Sequence, residues 1–207
     1  MSEQYFVRRP SAQHAPREIR AVLRGRQFVF ATDAAVFSRF KVDRGTELLI
    51  DALDVRPCES LLDLGCGYGP VGLAIAANVE GVHVVMTDVN ERAVTLTRRN
   101  AKRNELQVDV REGPLFEPVE GLAFDHIASN PPIRAGKAIV HGIVEDASAF
   151  LFEGGSLWLV ARAKQGAPSL REKMRATMGN AETVRRGSGF WVLRSIRRSD
   201  SEPPLRR

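Results

Sequence analysis

The stretch SLLDLGCGYGPVGLAIA, residues 60–76, decides the fold of this 207-residue chain. It begins as a short apolar run, passes through three glycines at alternate positions, and continues as an apolar helix-forming segment. Gly65, Gly67 and Gly69 let the backbone turn tightly and approach a ligand, and the helix that follows presents free N–H groups. Pro70 stands where a dinucleotide-binding fingerprint needs its third glycine, so the turn is glycine-rich but is not that fingerprint.

Short apolar runs and helical patterns alternate on both sides of this stretch. The spacing predicts strands over 60–65, 82–88, 106–110, 124–130 and 155–161, and helices over 71–79, 91–104, 137–151 and 169–179. Hairpins are predicted around Arg24-Gly25-Arg26 and around Gly187-Ser188-Gly189. This alternation indicates an α/β fold with a mostly parallel sheet, helices on both faces, and ligands at the carboxyl ends of the strands.

Composition places the chain among single globular domains. Its length, a 43% hydrophobic fraction and a 27% charged fraction are those of one folded unit. Cys58 and Cys66 are the only cysteines, which excludes a disulfide scaffold and an all-cysteine metal site. With neither a long apolar run nor a secretory signal at the start, the expected location is the cytoplasm, away from any membrane.

Charge is distributed unevenly along the chain. Residues 1–44 carry a net charge of +5, residues 45–160 carry −8, and residues 161–207 carry +8. Basic flanks of this size attract a polyanion such as RNA. Twenty-five of the thirty basic residues are arginine, a bias that genome composition alone can produce, so charge by itself leaves nucleic-acid binding open.

The first candidate residues lie at the ends of the first two core strands. Asp63, just before the glycines, can hold an ammonium group or cap the following helix. Asp88 closes the second strand, where a carboxylate can accept hydrogen bonds from both ribose hydroxyls of a nucleoside. Within the turn, Cys66 is expected to be a small filler, since nothing near it in the sequence favours a reactive thiolate.

The second constellation is Asn130-Pro131-Pro132 at the end of the fourth core strand. The two prolines lack an N–H and fix φ, which holds the backbone extended with its carbonyls available. The Asn130 amide oxygen and the Pro131 carbonyl can together accept both hydrogens of a planar NH₂ group. Methylation of an exocyclic amine requires this geometry, although an Asn-Pro turn between strand and helix is the simpler alternative.

Taken together, DLGCGYG (63–69), TDVN (87–90) and NPPIRAGK (130–137) resemble the class I S-adenosylmethionine-dependent methyltransferases. Within that class the chain is similar to the "methyltransferase small" group, related to ribosomal small-subunit (16S) rRNA guanine-N2 methyltransferases. The likeness extends from about Tyr5 to Ser195 and includes the stretch 28–49. It implies a Rossmann-like seven-stranded sheet whose last strand is antiparallel. Charge and composition add a basic N-terminal extension packed on the core over 1–44 and a disordered tail over 199–207, which leaves 45–198 as the expected methyltransferase domain.

The resemblance assigns roles to individual residues. It places the cofactor S-adenosylmethionine against a set of loop residues, namely Asp63, Gly65, Cys66, Gly67, Asp88, Val89 and Asn130. It assigns the target base to Asn130, Pro131, Pro132 and Ile133. Arg134 and Lys137, which follow this loop, are candidate phosphate contacts or ordinary charges at a helix start. No metal is implied.

Two positions depart from the wider class. Ile133 stands where many amine methyltransferases have an aromatic residue that stacks on the target base. Pro114 stands where relatives often carry an aspartate for the adenine amine, so Glu112 or a backbone carbonyl would have to replace it.

The sequence therefore predicts a methyltransferase that acts on an exocyclic amine, with N2 of guanine in 16S rRNA as the favoured target. An Asn-Pro-Pro loop suits a protein glutamine amide or a small metabolite equally well. An alternative of another class is a non-catalytic RNA-binding or ribosome-assembly factor that has kept the cofactor pocket. The expected partner is ribosomal RNA or the small ribosomal subunit.

Overall fold

The computed structural model describes residues 8–131 and 137–199. In this part of the chain the strands are β1 Arg17–Leu23, β2 Arg26–Thr32, β3 Ser60–Leu64, β4 His83–Asp88, β5 Asp109–Glu112, β6 Phe124–Ser129, β7 Leu151–Arg162, β8 Glu182–Gly187 and β9 Phe190–Ile196. The helices are α1 Arg44–Ala52, α2 Pro70–Asn78, α3 Glu91–Arg103, α4 Lys137–Asp146 and α5 Ala167–Met178.

Seven strands form the main sheet in the order β5-β4-β3-β6-β7-β9-β8, and β1 and β2 form a separate hairpin. The pairs from β5 to β7 are parallel, whereas β9 runs antiparallel to both β7 and β8. The predicted α/β class, the seven strands and the antiparallel last strand are confirmed. The reversal of order beside β3 brings the carboxyl ends of β3, β4 and β6 together, which is where such sheets bind ligands.

Side chains along the central strands alternate between two buried clusters on opposite faces of the sheet. On β7, Trp158 and Val160 belong to the cluster that includes α1, α2 and α3, while Leu157 and Leu159 belong to the cluster that includes α4 and α5. Successive side chains of a pleated strand point to opposite faces of the sheet. Because both faces are covered here, most side chains along a central strand are buried, and the strand has a continuous apolar sequence.

Three predicted elements have different bounds in the structure, and one of them is the strand predicted over 155–161, which is β7 and begins at Leu151. The third core strand, predicted over 106–110, is β5 and begins at Asp109, because Glu105 adopts a φ of 58° and Leu106 N donates to Ala101 O. That hydrogen bond closes a turn at the end of helix α3, so the first residues of the predicted strand belong to the turn and not to β5. The helix predicted over 137–151 ends at Asp146, is followed by a short 3-10 turn, and gives way to β7 at Leu151.

Both predicted hairpins form, and each turns on two residues with positive φ. Arg24 and Gly25 have φ of 47° and 78°, and Ser188 and Gly189 have 48° and 79°. This is the backbone of the two-residue turns that match strand twist. The β1–β2 hairpin packs its inward side chains into the same cluster as the main sheet.

The helix α1 was not predicted. Its N-terminus is capped by Asp43, whose carboxylate accepts from Gly45 N at 2.9 Å. Leu49 and Ile50 are fully buried on its inner side. The nine-residue helix is short, and its apolar positions are too few for the periodicity to distinguish it from a loop.

Candidate functional site

Three loops meet at the carboxyl ends of β3, β4 and β6, and backbone hydrogen bonds connect them. Gly65 N and Cys66 N both donate to Thr87 O at 2.9 Å, which joins the glycine turn to the end of β4. Ser129 Oγ donates to Leu64 O at 2.7 Å, which joins the end of β6 to the same turn. The sequence-predicted groups at positions 63–69, 88 and 130 therefore lie at one edge of the sheet.

The glycine turn leaves open space beside its backbone. Gly65 and Gly67 have φ of 75° and 61°, and a Cβ built on either would meet no atom within 4 Å. By contrast, a Cβ on Gly69 would come within 3.1 Å of side-chain atoms of Leu73 and Thr97. The backbone at the first two glycines is thus open to a ligand, and the third glycine permits close packing of the following helix.

Asp63 is buried beneath the turn, and its Oδ2 accepts from Gly72 N at 2.9 Å in the first turn of α2. Burial, reinforced by the nearby Asp88 carboxylate, raises the pKa of Asp63 to about 7, although the Gly72 N–H opposes the shift. The structure therefore shows the helix-capping contact that the sequence allowed. A contact of Asp63 with an ammonium group stays a prediction.

Asp88 lies at the end of β4 with both carboxylate oxygens already directed by the backbone. Oδ2 accepts from Gly67 N and Oδ1 from Asn90 N, each at 2.8 Å. Burial raises the pKa of Asp88 to about 6 against these hydrogen bonds. Each oxygen has a second lone pair, so the group can still accept from two hydroxyls. Val89 follows Asp88 and is half-buried.

Cys66 is buried, with its Sγ at 3.6 Å from Thr97 Oγ1. Burial, followed by the negative charges of Asp88 and Asp63, raises the pKa of this thiol well above its ordinary value. A neutral, enclosed thiol fits the expected role as a small filler of the turn.

Asn130 is oriented by a residue from another part of the chain. Its Nδ2 donates to Thr46 Oγ1 at 2.9 Å, and Thr46 is buried in the first turn of α1. Among the described residues no hydrogen bond reaches Asn130 Oδ1, so the amide presents an acceptor. Pro131 is buried directly after it.

The rest of the Asn-Pro-Pro loop is only partly described. Pro132, Ile133 and Arg134 lie outside the described residues, so their predicted roles stay predictions. Lys137 is the first residue of α4 and is exposed, a position that suits either a phosphate contact or a surface charge.

The support of the glycine turn by α3 could not be read from the sequence. Thr97 Oγ1 donates to Gly67 O at 2.8 Å, and Asn100 Nδ2 donates to Tyr68 O at 2.8 Å. Polar residues inside an amphipathic helix carry no signal of their own, because most of them face water. Here both are fully buried and fix the turn from behind.

The N-terminal segment also contacts this edge. Glu91 N donates to Arg8 O at 3.0 Å, and Arg8 Nε donates to Glu112 at 2.7 Å. The Glu112 carboxylate, which the sequence suggested as a replacement for an adenine-binding aspartate, is thus paired with an arginine. Pro114 is exposed two residues further on.

Two groups of functional sites have no counterpart in the described part of the chain. Within residues 8–131 and 137–199, no cluster of three or more His, Cys, Asp or Glu residues is arranged to hold a metal ion. Over the same residues, no helix combines the length and the apolar character that a membrane span requires.

Comparison with known proteins gives relatives of two lengths. A Bacillus subtilis (strain 168) protein described as uncharacterized protein YbxB is 39% identical over 198 residues, which cover 94% of this chain and 98% of that protein. Ribosomal RNA small subunit methyltransferase C from Haemophilus influenzae (strain PittGG) is 36% identical over 139 residues, covering 65% of this chain and 42% of the relative. Ribosomal RNA large subunit methyltransferase G from Aeromonas salmonicida (strain A449) is 32% identical over 184 residues, covering 85% and 48%. The chain thus spans less than half of either ribosomal RNA methyltransferase.

A solved structure has the same arrangement of elements. The T. thermophilus 16S rRNA N2 G1207 methyltransferase (RsmC), in complex with AdoMet and guanosine, superposes with a TM-score of 0.81 and 26% identity, over 91% of this chain and 52% of that one. The family model of the methyltransferase small domain matches residues 27–194. Because that match spans most of the chain and both sides of the glycine turn, the chain belongs to the methyltransferase small domain family.

Proposed function

We propose that this methyltransferase modifies N2 of guanine in small-subunit (16S) ribosomal RNA, with S-adenosylmethionine as methyl donor. The methyltransferase activity follows from family membership, and related proteins named for ribosomal RNA support the substrate class. The choice of guanine N2 in 16S rRNA rests on likeness to the structure that holds guanosine and on the geometry of Asn130.

The residues at the sheet edge fit the donor. Open space beside Gly65 and Gly67 admits a ligand against the backbone. Asp88 keeps a free lone pair on each oxygen for a ribose diol, and the buried Asp63 lies beneath the same turn. When bound, S-adenosylmethionine supplies an activated methyl group on a sulfonium.

The orientation of Asn130 is the observation that carries the proposal. Because Nδ2 donates to Thr46, Oδ1 is the atom left to accept from an incoming NH₂ group. That contact directs the amine's lone pair out of its plane toward the methyl group and holds it in line. As the N–C bond forms, the S–C bond would break with its electron pair remaining on sulfur, and the nitrogen would gain positive charge. A fixed carbonyl oxygen would stabilise that charge until the nitrogen releases a proton to solvent.

The test measures transfer of labelled methyl groups to three acceptors. These are ribosomal RNA from a strain lacking the gene, a glutamine-containing release factor, and guanosine alone. We expect transfer to the RNA, and mass spectrometry of its nucleosides should find one additional N2-methylguanosine. Transfer to the release factor alone would replace the RNA with a protein substrate. Cofactor binding without transfer to any acceptor would favour a non-catalytic RNA-binding factor.

Substitution of Asn130 by alanine tests the mechanism in the same assay. The change removes one acceptor of the amine and leaves the glycine turn and Asp88 in place. By analogy with removal of an oxyanion-hole donor, kcat should fall by roughly 10²–10³-fold, a far larger change than any loss of cofactor affinity that calorimetry finds. A kcat near that of the parent protein would reduce Asn130 to a turn former and contradict the proposed mechanism.

A further inference from the structure

An exposed aromatic side chain close to the site has two arginines within cation–π distance of its ring. Phe40 is 62% exposed, an unusual degree for a phenylalanine, in the segment between β2 and α1. The guanidinium carbons of Arg17 and Arg39 lie 4.8 and 4.6 Å from the centre of its ring. Both distances are within the range of cation–π contacts. We refer to Arg17, Arg39 and Phe40 as the Phe40 platform.

The backbone beneath the Phe40 platform is fixed. Thr32, which is fully buried at the end of β2, donates from Oγ1 to Arg39 O at 2.8 Å and lies 3.5 Å from Arg17 O. A single hydroxyl thus joins the two chain segments that carry the arginines. The backbone that carries the platform is therefore fixed before any partner binds, which lowers the backbone entropy lost on binding.

The charge of the Phe40 platform is not neutralised locally. Within residues 8–131 and 137–199, neither Arg17 nor Arg39 forms an ion pair with a carboxylate. Lys41 and Arg44, which follow in the chain, are exposed as well. The acidic residue between them, Asp43, has its carboxylate on Gly45 N as the cap of α1. The surface thus combines positive charge with a flat apolar ring.

The Phe40 platform borders the active edge of the sheet. Lys41 O accepts from the hydroxyl of Tyr68, a residue of the glycine turn, at 3.4 Å. Thr46, which orients Asn130, follows Phe40 by six residues. Six residues span at most about 20 Å even when fully extended. A nucleic acid whose target base reaches Asn130 would therefore have neighbouring nucleotides at the platform.

We propose that the Phe40 platform binds an unpaired RNA nucleotide next to the target base, an inference that rests on the proposed function. The base stacks on the Phe40 ring or on the guanidinium plane beside it, and the arginines contact the flanking phosphates. Single-stranded RNA is recognised in this manner by aromatic and arginine side chains, whereas bases within a duplex are not available for stacking.

The experiment compares Phe40→Ala with Phe152→Ala, a matched control. Phe152 is 49% exposed near the start of β7, at the opposite edge of the sheet. Binding is measured by fluorescence anisotropy to a single-stranded RNA dodecamer, to a duplex of the same composition, and to inorganic polyphosphate. Stacking on one base is lost in the alanine variant, so we expect about tenfold weaker binding of the single strand. Binding of the duplex and of polyphosphate should stay within twofold, and Phe40→Trp should restore the parental affinity.

Further variants separate stacking from charge and from folding. Arg17→Gln should weaken binding of all three polyanions, because each lost phosphate contact reduces counterion release, while Arg175→Gln on α5 should not. Thermal melting of Phe40→Ala and Phe40→Trp controls for a structural effect of the ring. Equal losses in Phe40→Ala and Phe152→Ala, or an equal loss for polyphosphate, would overturn the stacking proposal.

Failure of this inference is distinguishable from failure of the proposed function. If the parent protein methylates ribosomal RNA and Phe40→Ala binds single-stranded RNA as tightly as the parent, the role assigned to the Phe40 platform is wrong and the proposed function is retained. If no ribosomal RNA is methylated but Phe40→Ala still weakens binding of single-stranded RNA and of no other polyanion, the Phe40 platform binds another RNA and the proposed function is wrong.

Discussion

A single hydrogen bond decides which atom of the Asn130 amide is left to accept a hydrogen bond. An asparagine amide has a donor end and an acceptor end of nearly the same shape, so its chemistry depends on what holds it. Thr46 Oγ1 accepts from Nδ2, and the helix that carries Thr46 is itself capped by Asp43. In the proposed mechanism Thr46 is therefore a positioning residue, whose hydroxyl would act on the reaction through Asn130.

Replacing Thr46 by valine should lower kcat about tenfold and leave KM for RNA unchanged. Valine keeps the β-branched shape but leaves Asn130 Nδ2 without its acceptor, a loss of about 1–3 kcal/mol that frees the amide to rotate. Thr46→Ser keeps the hydroxyl and should restore kcat, which a merely structural role would not require. Steady-state methyl transfer measures both values. Equal kcat for the valine and serine variants would show that the hydrogen bond is not needed.

This pairing also marks how far the sequence could be read at the level of residues. Asn130 stands out because two prolines follow it at the end of an apolar strand. Thr46 is 84 positions away in the chain. The family resemblance places the segment around Thr46 near the cofactor, but nothing in the run Arg44-Gly45-Thr46 indicates Asn130 as its partner. A residue whose function is to orient another becomes visible only when the fold brings the two together.

At the level of elements, side-chain amides at the end of helix α3 form the hydrogen bonds with β2 that a neighbouring strand would otherwise form. Asn100 donates from Nδ2 to Ala31 O and accepts at Oδ1 from Ala31 N, at 3.0 and 2.7 Å. Asn104, one turn later, makes the same pair of contacts with Val29, at 3.1 and 3.2 Å. Four residues along a helix and two along a strand cover similar lengths. The two amides therefore match the spacing of the outward N–H and C=O groups of β2 and pair with them.

Asn100→Ala should therefore destabilise the hairpin and the glycine turn together. The substitution leaves the N–H and C=O of Ala31 and the carbonyl of Tyr68 buried without partners, so we expect a loss of about 3 kcal/mol or more in the free energy of unfolding. Urea titration followed by circular dichroism measures it. Asn78→Ala is the control, since Asn78 is exposed and its Nδ2 bonds only to Ala74 O one turn earlier on α2. A loss no larger than that of the control would contradict the assigned role of Asn100.

The elements themselves were predictable where their periodicity is strong. Strands such as SLLDL and HVVMTD and the helix over 91–104 follow from apolar spacing and terminal residues. Helix α1 was missed because its apolar residues are few. The contact of the N-terminal segment through Arg8 was missed because ion pairs between distant residues leave no periodic pattern.

At the level of the whole molecule, two carboxylic acids near the carboxyl ends of β3 and β4, Asp63 and Asp88, ionise less readily in the folded chain than in the unfolded one. The pKa of Asp63 rises from an ordinary 3.8 to about 7 and that of Asp88 to about 6, chiefly through burial. A carboxyl with a higher pKa in the folded chain binds more protons there than in the unfolded chain. The free energy of unfolding then falls as pH rises from about 4 to about 7. A ligand that brings an ammonium group to this edge would offset that loss.

Asp63→Asn tests this balance directly. Asparagine Oδ1 can still accept from Gly72 N, so the helix cap is kept while the titrating charge is removed. At pH 8 the variant should be more stable than the parent by up to about 4 kcal/mol, and near pH 4, where Asp63 is protonated in the folded parent, the two should agree.

Urea unfolding at pH 4, 6 and 8 measures the difference, with fluorescence of the buried Trp158 as the signal. Asp146→Asn, at an exposed carboxyl in the last turn of α4, controls for a general effect of charge and should track the parent at every pH. If Asp63 also holds an ammonium group, the asparagine variant will gain stability but lose the rise in melting temperature that S-adenosylmethionine gives the parent. A variant that is less stable than the parent at pH 8 would mean that the N-terminus of α2 stabilises an ionised Asp63, and the stability cost inferred from its burial would be wrong.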